Sequence, residues 1–440
     1  MAVPASSVSW AIEYLSRAIT SWIEDHSMAS AHMRRIGVAF ALTATARIAR
    51  SQQHASAALP APTGRFDIGT TVFTITDSSR ADSLMKGTRY RQLNVQLWYP
   101  VDARRGGVHA RYLAEPALLP VLLGSQYYGI DSATLRTWGE LTTHAWLNAA
   151  PRRGSYPILT FSHGLGVVRA NYTSLVEELA SHGFVLAMID HPHSGVAVMP
   201  DGSIVSAADL GNAVNDPAAT RRRAVDEAAD ITFVLDRLER RTVAPSAAAV
   251  GPTIDWRRAG AIGHSSGGLV AVEACNRDAR LRACADLDGG PVTPAGEPMA
   301  DFAARGVTKP ALVLRSQPLY SDEDLARRGR TRAQWDATGN ASMAALDSLG
   351  GRSSGPLFIA RVAGTGHMSF SDGPFTMPTT LTQFGGKIID ATRGWKVITT
   401  TLREYFGAIF STQPERFPGD LMSRFPELTL RRSLLHNGMP

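Results

Sequence analysis

Residues 261–268 read Ala-Ile-Gly-His-Ser-Ser-Gly-Gly. The stretch Gly263-His264-Ser265-Ser266-Gly267 fits the G-x-S-x-G spacing with Ser265 at its centre. A frame around Ser266 fails, because His264 stands where glycine is needed. The chemistry such a pattern serves is acyl transfer. A serine on a sharp strand-to-helix turn projects its hydroxyl, and small residues two positions to either side let the chain pass close to its neighbours. A serine hydroxyl is a weak nucleophile at neutral pH, so it needs a base, and the base needs an orienting acid. With a serine of this kind the chain order is Ser, then Asp or Glu, then His. Beyond Ser265 the histidines are His367 and His436. His436 lies in a polar terminal stretch, whereas His367 ends an apolar run in "AGTGHMSFSD". His367 is therefore the candidate base.

The acid is less sharply defined. Asp286 and Asp288 in "ACADLDGG" stand two residues apart at the end of a strand. Asp288 stands at the strand tip, where reactive groups gather in open α/β sheets. Asp322 and Asp324, after the next apolar run, are its rivals. Two backbone N–H groups suit a developing oxyanion. One is that of Ser266, at the start of the helix; the other is that of Leu165 in "FSHGLG", where Gly164 and Gly166 let the backbone approach a substrate carbonyl. His163 and His264 flank the site in sequence and read as structural.

These residues need a frame. Apolar runs at 156–164, 184–191, 258–265, 280–290, 309–316 and 357–367 read as buried strands, preceded by strand patterns at 69–76 and 94–100. Helical patterns fall at 172–183, 217–238, 266–277 and 394–410. The second of these has Asp216 as cap, Pro217 in its first turn and an apolar stripe of Ala224, Ala228, Ile231, Leu235 and Leu238. Buried strands alternating with helices predict an α/β fold, a mostly parallel sheet with helices on both faces. "MPDGSIV" (199–205) reads as a hairpin. Residues 291–308 and 317–356 read as polar insertions, where a lid or pocket element would sit.

The chain of 440 residues is long enough for one large domain with tails. We expect a catalytic domain over 66–415, a linker over 58–65 and a C-terminal tail over 416–440. The formal charge of +6 comes mostly from scattered arginines, Lys86, Lys309, Lys387 and Lys396 being the lysines. No nucleic-acid-binding module accompanies that charge, so no nucleic-acid partner is expected. Cys275 and Cys284 lack metal-site spacing. They read either as a disulfide of an exported protein or as two small buried hydrophobes. No cofactor or metal is called for. Residues 7–26 carry a greasy helical face, suited to a membrane surface, to docking, or to sequence upstream of the true start. Residues 33–57 follow with Arg34-Arg35, a short apolar run and Ala55-Ser56-Ala57, an export pattern that places the protein outside the cytoplasm, in the periplasm or medium. If that pattern is not a signal, the protein stays cytoplasmic.

"FSHGLGVVRANYTSLVEELASHGFVLAMIDH" (161–191), "GHSSGG", "LDGG" and "GHMSFSD" together resemble the platelet-activating factor acetylhydrolase family of the plasma, or isoform II, type, and its bacterial relatives above all. The resemblance covers roughly residues 90–410. It implies an α/β-hydrolase fold and a calcium-independent serine esterase that removes short or oxidised acyl chains from the sn-2 position of phospholipids. Carried over residue by residue, it implies Ser265 as nucleophile, Asp288 as acid, His367 as base, and Leu165 and Ser266 as oxyanion donors. Two departures stand out. Ser266 replaces the aromatic residue of the family's animal members, and "GGPVTP" replaces an aromatic-containing segment after the acid. These leave a general short-chain carboxylesterase, or a cutinase- or polyester-type hydrolase, as the alternative expectation. A hydrolase-fold protein that only binds is a further one.

Overall fold

The apolar runs become the strands of one sheet. The computed structural model describes residues 58–433, apart from 83, 85–89, 104–105, 126, 215, 294–296 and 379–387. The amphipathic segment 7–26, the export pattern 33–57 and His436 lie outside the described residues.

The chain opens with a long antiparallel hairpin, β1 (Asp67–Ala81) and β2 (Tyr90–Val101). Then follow β3 (His109–Arg111), α1 (Leu118–Gly124), α2 (Ser132–Glu140), β4 (Thr142–Leu147), β5 (Tyr156–Ser162), α3 (Thr173–Ser181) and β6 (Val185–Asp190). A small hairpin, β7 (Ala197–Val198) with β8 (Ile204–Val205), precedes α4 (Pro217–Glu239). The remaining main elements are β9 (Ile254–His264), α5 (Ser266–Arg277), β10 (Leu281–Leu287), β11 (Ala311–Gln317), α6 (Arg332–Arg352), β12 (Leu357–Ala363), α7 (Ala391–Phe410) and β13 (Leu428–Arg432). Among the described residues eleven strands form one sheet in the order β3-β4-β1-β2-β6-β5-β9-β10-β11-β12-β13, with β6, β5 and β9 through β12 all parallel. Helices cover both faces, and strands buried on both sides must be apolar throughout.

One face packs under α4, α5 and α6, the other under α3 and α7. The stripe read on α4 is the one buried: Ala224, Ala228, Ile231, Leu235 and Leu238 are each exposed by 3% or less. Asp216 caps this helix by accepting the Ala218 N–H at 3.0 Å, with Pro217 in its first turn.

Three expectations are corrected. Residues 317–356 are not a polar insertion. They hold α6, whose Leu346 and Leu349 are buried against the sheet, because two parallel strands such as β11 and β12 need a crossover between them. Residues 416–433 are not a tail. Phe417, Leu421, Phe425 and Leu428 are buried, and β13 pairs antiparallel with β12, covering an edge that would otherwise expose its ladder. The 58–65 linker is docked, not free: Leu59 is buried, and Thr63 hydrogen-bonds Glu178 on α3 through its N–H at 2.7 Å and its hydroxyl at 2.6 Å. Of the two expectations for Cys275 and Cys284, the structure carries the buried free thiols.

Candidate active site

Ser265 sits where β9 turns into α5, with φ 56° and ψ −126°. A non-glycine residue in that region stores about 1–3 kcal/mol of strain, which the surroundings must over-determine. Here the Ser265 N–H donates to the Leu287 carbonyl on β10 at 2.8 Å. The glycines around it are required by contact. A Cβ at Gly263 would lie 1.9 Å from the Gly267 carbonyl oxygen, and one at Gly267 would lie 2.2 Å from that of Ser162. A Cβ at Gly268 would fall 2.0 Å from Asp286 Oδ1, so a side chain there would have to displace the buried Asp286 carboxyl.

Asp288 and His367 meet. His367 Nδ1 lies 2.8 Å from Asp288 Oδ2. The carboxylate side chain is 5% exposed and the imidazole 50% exposed, so a buried acid holds a base open to solvent. Burial alone would raise the Asp288 carboxyl. The Arg315 guanidinium at 3.6 Å, the His367 hydrogen bond and the Ser316 N–H outweigh it and hold the group well below the usual carboxylate range. No hydrogen bond joins the Ser265 hydroxyl to His367 among the described residues. In unliganded sites such contacts are commonly open and close when substrate arrives.

The rival acids lie elsewhere. Asp286 is fully buried beside Gly268 in the first turn of α5 and accepts the Gly289 N–H at 2.7 Å. Burial pushes it up to about 7, against the pull of Arg315. Asp324 is the capping-box partner of Ser321, and Asp322 pairs with Arg332 at 2.9 Å.

The turn after β5 lies beside Ser265: a Cβ at Gly164 would stand 3.3 Å from the Ser265 Cβ. Its peptide planes are pinned. His163 Nδ1 lies 2.8 Å from the Gly164 carbonyl oxygen, Tyr128 donates to the Leu165 carbonyl at 3.1 Å, and the Gly166 N–H donates to Ser194 O at 2.6 Å. The N–H groups of Leu165 and Ser266 are left without acceptors among the described residues, the latter in the first turn of α5. Burial pushes the His163 imidazole down to about 3, so this histidine is a neutral tether, as its sequence context suggested.

Sequence reasoning missed Arg315, Ser316, Tyr128 and Tyr172. A charged residue near the C-terminal end of the apolar run "KPALVLRS" was the available signal for Arg315. The tyrosines reach the site only through tertiary contact.

The model of the family described as platelet-activating factor acetylhydrolase, isoform II, matches residues 51–201. The platelet-activating factor acetylhydrolase of Canis lupus familiaris is 25% identical over 313 residues, 65% of this chain and 65% of that protein. A probable 1-alkyl-2-acetylglycerophosphocholine esterase of Arthroderma benhamiae is 24% identical over 243 residues, 53% of this chain and 59% of its own length. The chain thus spans less than two thirds of these curated relatives. Among solved structures, a ferulic acid esterase from Streptomyces cinnamoneus superposes with a TM-score of 0.62 at 28% identity, covering 86% of this chain and 99% of the other. These matches bear out the resemblance read from the sequence: the chain is similar to the platelet-activating factor acetylhydrolases of the isoform II type, on the fold of an esterase of the α/β-hydrolase kind.

Proposed function

We propose that the protein hydrolyses carboxylic esters through a serine acyl-enzyme. The observation that carries this reading is the 2.8 Å Asp288–His367 pair on the same rim of the sheet as the strained Ser265. Ser265 Oγ attacks the ester carbonyl carbon while His367 takes its proton. Asp288 fixes the ring with its proton on Nδ1 and stabilises the imidazolium that forms. The N–H groups of Leu165 and Ser266 bind the oxyanion, each worth about 3–4 kcal/mol in comparable sites. The carbonyl–alkoxy bond breaks, His367 returns the proton to the leaving alcohol, and water repeats the sequence on the acyl-enzyme with His367 as base.

For substrate we infer the sn-2 acyl ester of a phospholipid with a short acyl chain. The names of the dog and Arthroderma relatives support it. The Streptomyces neighbour favours a second reading, a general esterase of short or aromatic acids. No helix among the described residues is long and apolar enough to cross a membrane. Export to periplasm or medium, with the 7–26 helix touching a membrane surface, rests on the N-terminal sequence pattern and is tested by the N-terminus of the mature protein.

The test of the function is paired. A fluorophosphonate is reacted with the protein and the labelled residue mapped; then 2-acetyl phosphatidylcholine, 2-palmitoyl phosphatidylcholine and methyl ferulate are compared as substrates. Labelling at Ser265 with a strong acetyl preference is the expected result. Labelling with only ferulate cleaved selects the second reading, and a folded protein that is not labelled at Ser265 overturns both.

A further inference from the structure

Tyr172 and His264 stand between the oxyanion turn and the base. The Gly164 N–H donates to Tyr172 Oη at 3.0 Å. That oxygen lies 2.8 Å from His264 Nδ1, and His264 Nε2 lies 2.9 Å from the backbone carbonyl oxygen of His367. One proton arrangement satisfies all three contacts. The His367 carbonyl only accepts, so His264 carries its proton on Nε2. Nδ1 is then an acceptor, the Tyr172 hydroxyl donates to it, and a lone pair on Oη remains for Gly164. Every group is used and none is charged.

We propose that Tyr172 and His264 form a neutral hydrogen-bonded bridge that sets the position of the oxyanion donor Leu165 relative to the base His367. The inference rests on the hydrolytic reading of the site. At one end, the bridge holds the Gly164 N–H, in the peptide plane before Gly164, while His163 holds the Gly164 carbonyl, in the following plane that carries the Leu165 N–H, so the two bonds fix the chain on either side of the Gly164 Cα. At the other end, it holds His367 by its backbone, leaving the ring to Asp288. The His264 ring also lies against the His367 ring, with centroids 4.5 Å apart. A charged neighbour at that distance would oppose the imidazolium that His367 must become. Burial and the nearby His367 both push His264 down, to about 3, so it stays neutral at working pH. Tyr172 and His264 are positioning residues; neither hydrogen-bonds to the Ser265 hydroxyl or to the His367 ring.

The test is a double-mutant cycle on the full chain with Tyr172→Phe, His264→Phe and the double variant, beside Ser265→Ala. Each variant is first checked for a native near-ultraviolet spectrum, and His264→Leu, which also removes both hydrogen-bonding ring atoms, replaces His264→Phe if the latter does not fold. Each single variant is expected to lower kcat by about 10- to 100-fold with KM changed less than about twofold, as a misplaced reactive group does. The double variant should lose no more than the worse single, because breaking either link breaks the same bridge. Losses that multiply, a loss confined to KM, or wild-type kcat in the singles overturns the bridge. Wild-type turnover by Ser265→Ala instead overturns the hydrolytic reading on which the bridge rests, so the two failures are distinguishable.

Discussion

Ser316 grips both oxygens of Asp288: its N–H donates to Oδ1 and its hydroxyl to Oδ2, each at 2.9 Å. A buried carboxylate pays for desolvation unless its lone pairs are filled, and here Ser316, His367 and Arg315 fill them. The acid is thereby ionised and unable to rotate away from His367.

Asp288→Asn should therefore cost about 10⁴-fold in kcat with the fold retained, because an amide in this place turns the imidazole to the wrong tautomer. Its effect on stability has a sign. The folded-state pKa of Asp288 is lowered, so the stability it contributes is present above the unfolded value of roughly 3.9 and is lost as pH falls through the folded value. The gap between wild type and variant in urea unfolding should be constant above about pH 5 and narrow below about pH 4. A gap that widens with acid would contradict the assignment.

Asp286 behaves in the opposite sense. Its pKa is raised to about 7 by burial, so between roughly 3.9 and about 7 the folded state retains a proton that the unfolded chain has released. Its contribution is full below that window and is lost as pH rises through it. Asp286→Asn keeps an oxygen for the Gly289 N–H and removes the titration. The variant's stability relative to wild type should climb from about pH 4 to about pH 7 and level off above. A difference independent of pH in that range would sink the argument.

The glycines of the elbow are tested by contrast. Gly263→Ala places a methyl group 1.9 Å from a carbonyl oxygen that the helix start cannot move, and should lower stability by about 3 kcal/mol or more and abolish activity. Gly290→Ala, three residues beyond the end of β10 but with nothing within 4 Å of the added carbon, should lie within about 0.5 kcal/mol of wild type. Equal effects at the two positions would mean that the elbow tolerates a side chain.

Much of this arrangement is legible in the sequence where a single element carries the signal. The "GHSSG" turn, the Asp288 strand tip and the His367 loop are local patterns, and the structure places Asp288 against His367 as their order along the chain suggested. What escaped has one physical cause. β13 has five residues and gains its meaning only beside β12, and α6 exposes most of its surface, burying little beyond Leu346 and Leu349. Its start signal was nonetheless present: Thr331 and Gln334 form a capping box. Tyr172 and Ser316 act through contacts between elements far apart in sequence, and no periodicity announces such a meeting.

The strand tips are lashed to one another. Beyond the last residue of β9, the Ser265 N–H ties to Leu287 of β10; beyond β10, the Asp288 N–H ties to Leu314 of β11; and beyond β12, the Gly364 N–H ties back to Gln317 of β11. The three side chains of the hydrolytic reading thus follow β9, β10 and β12 on one staircase, with β11 the step between the last two, each step nailed to its neighbour. Such a staircase does not sag one tread at a time. On heating, turnover and the sheet should disappear together, with no warm interval in which a folded protein has already gone silent.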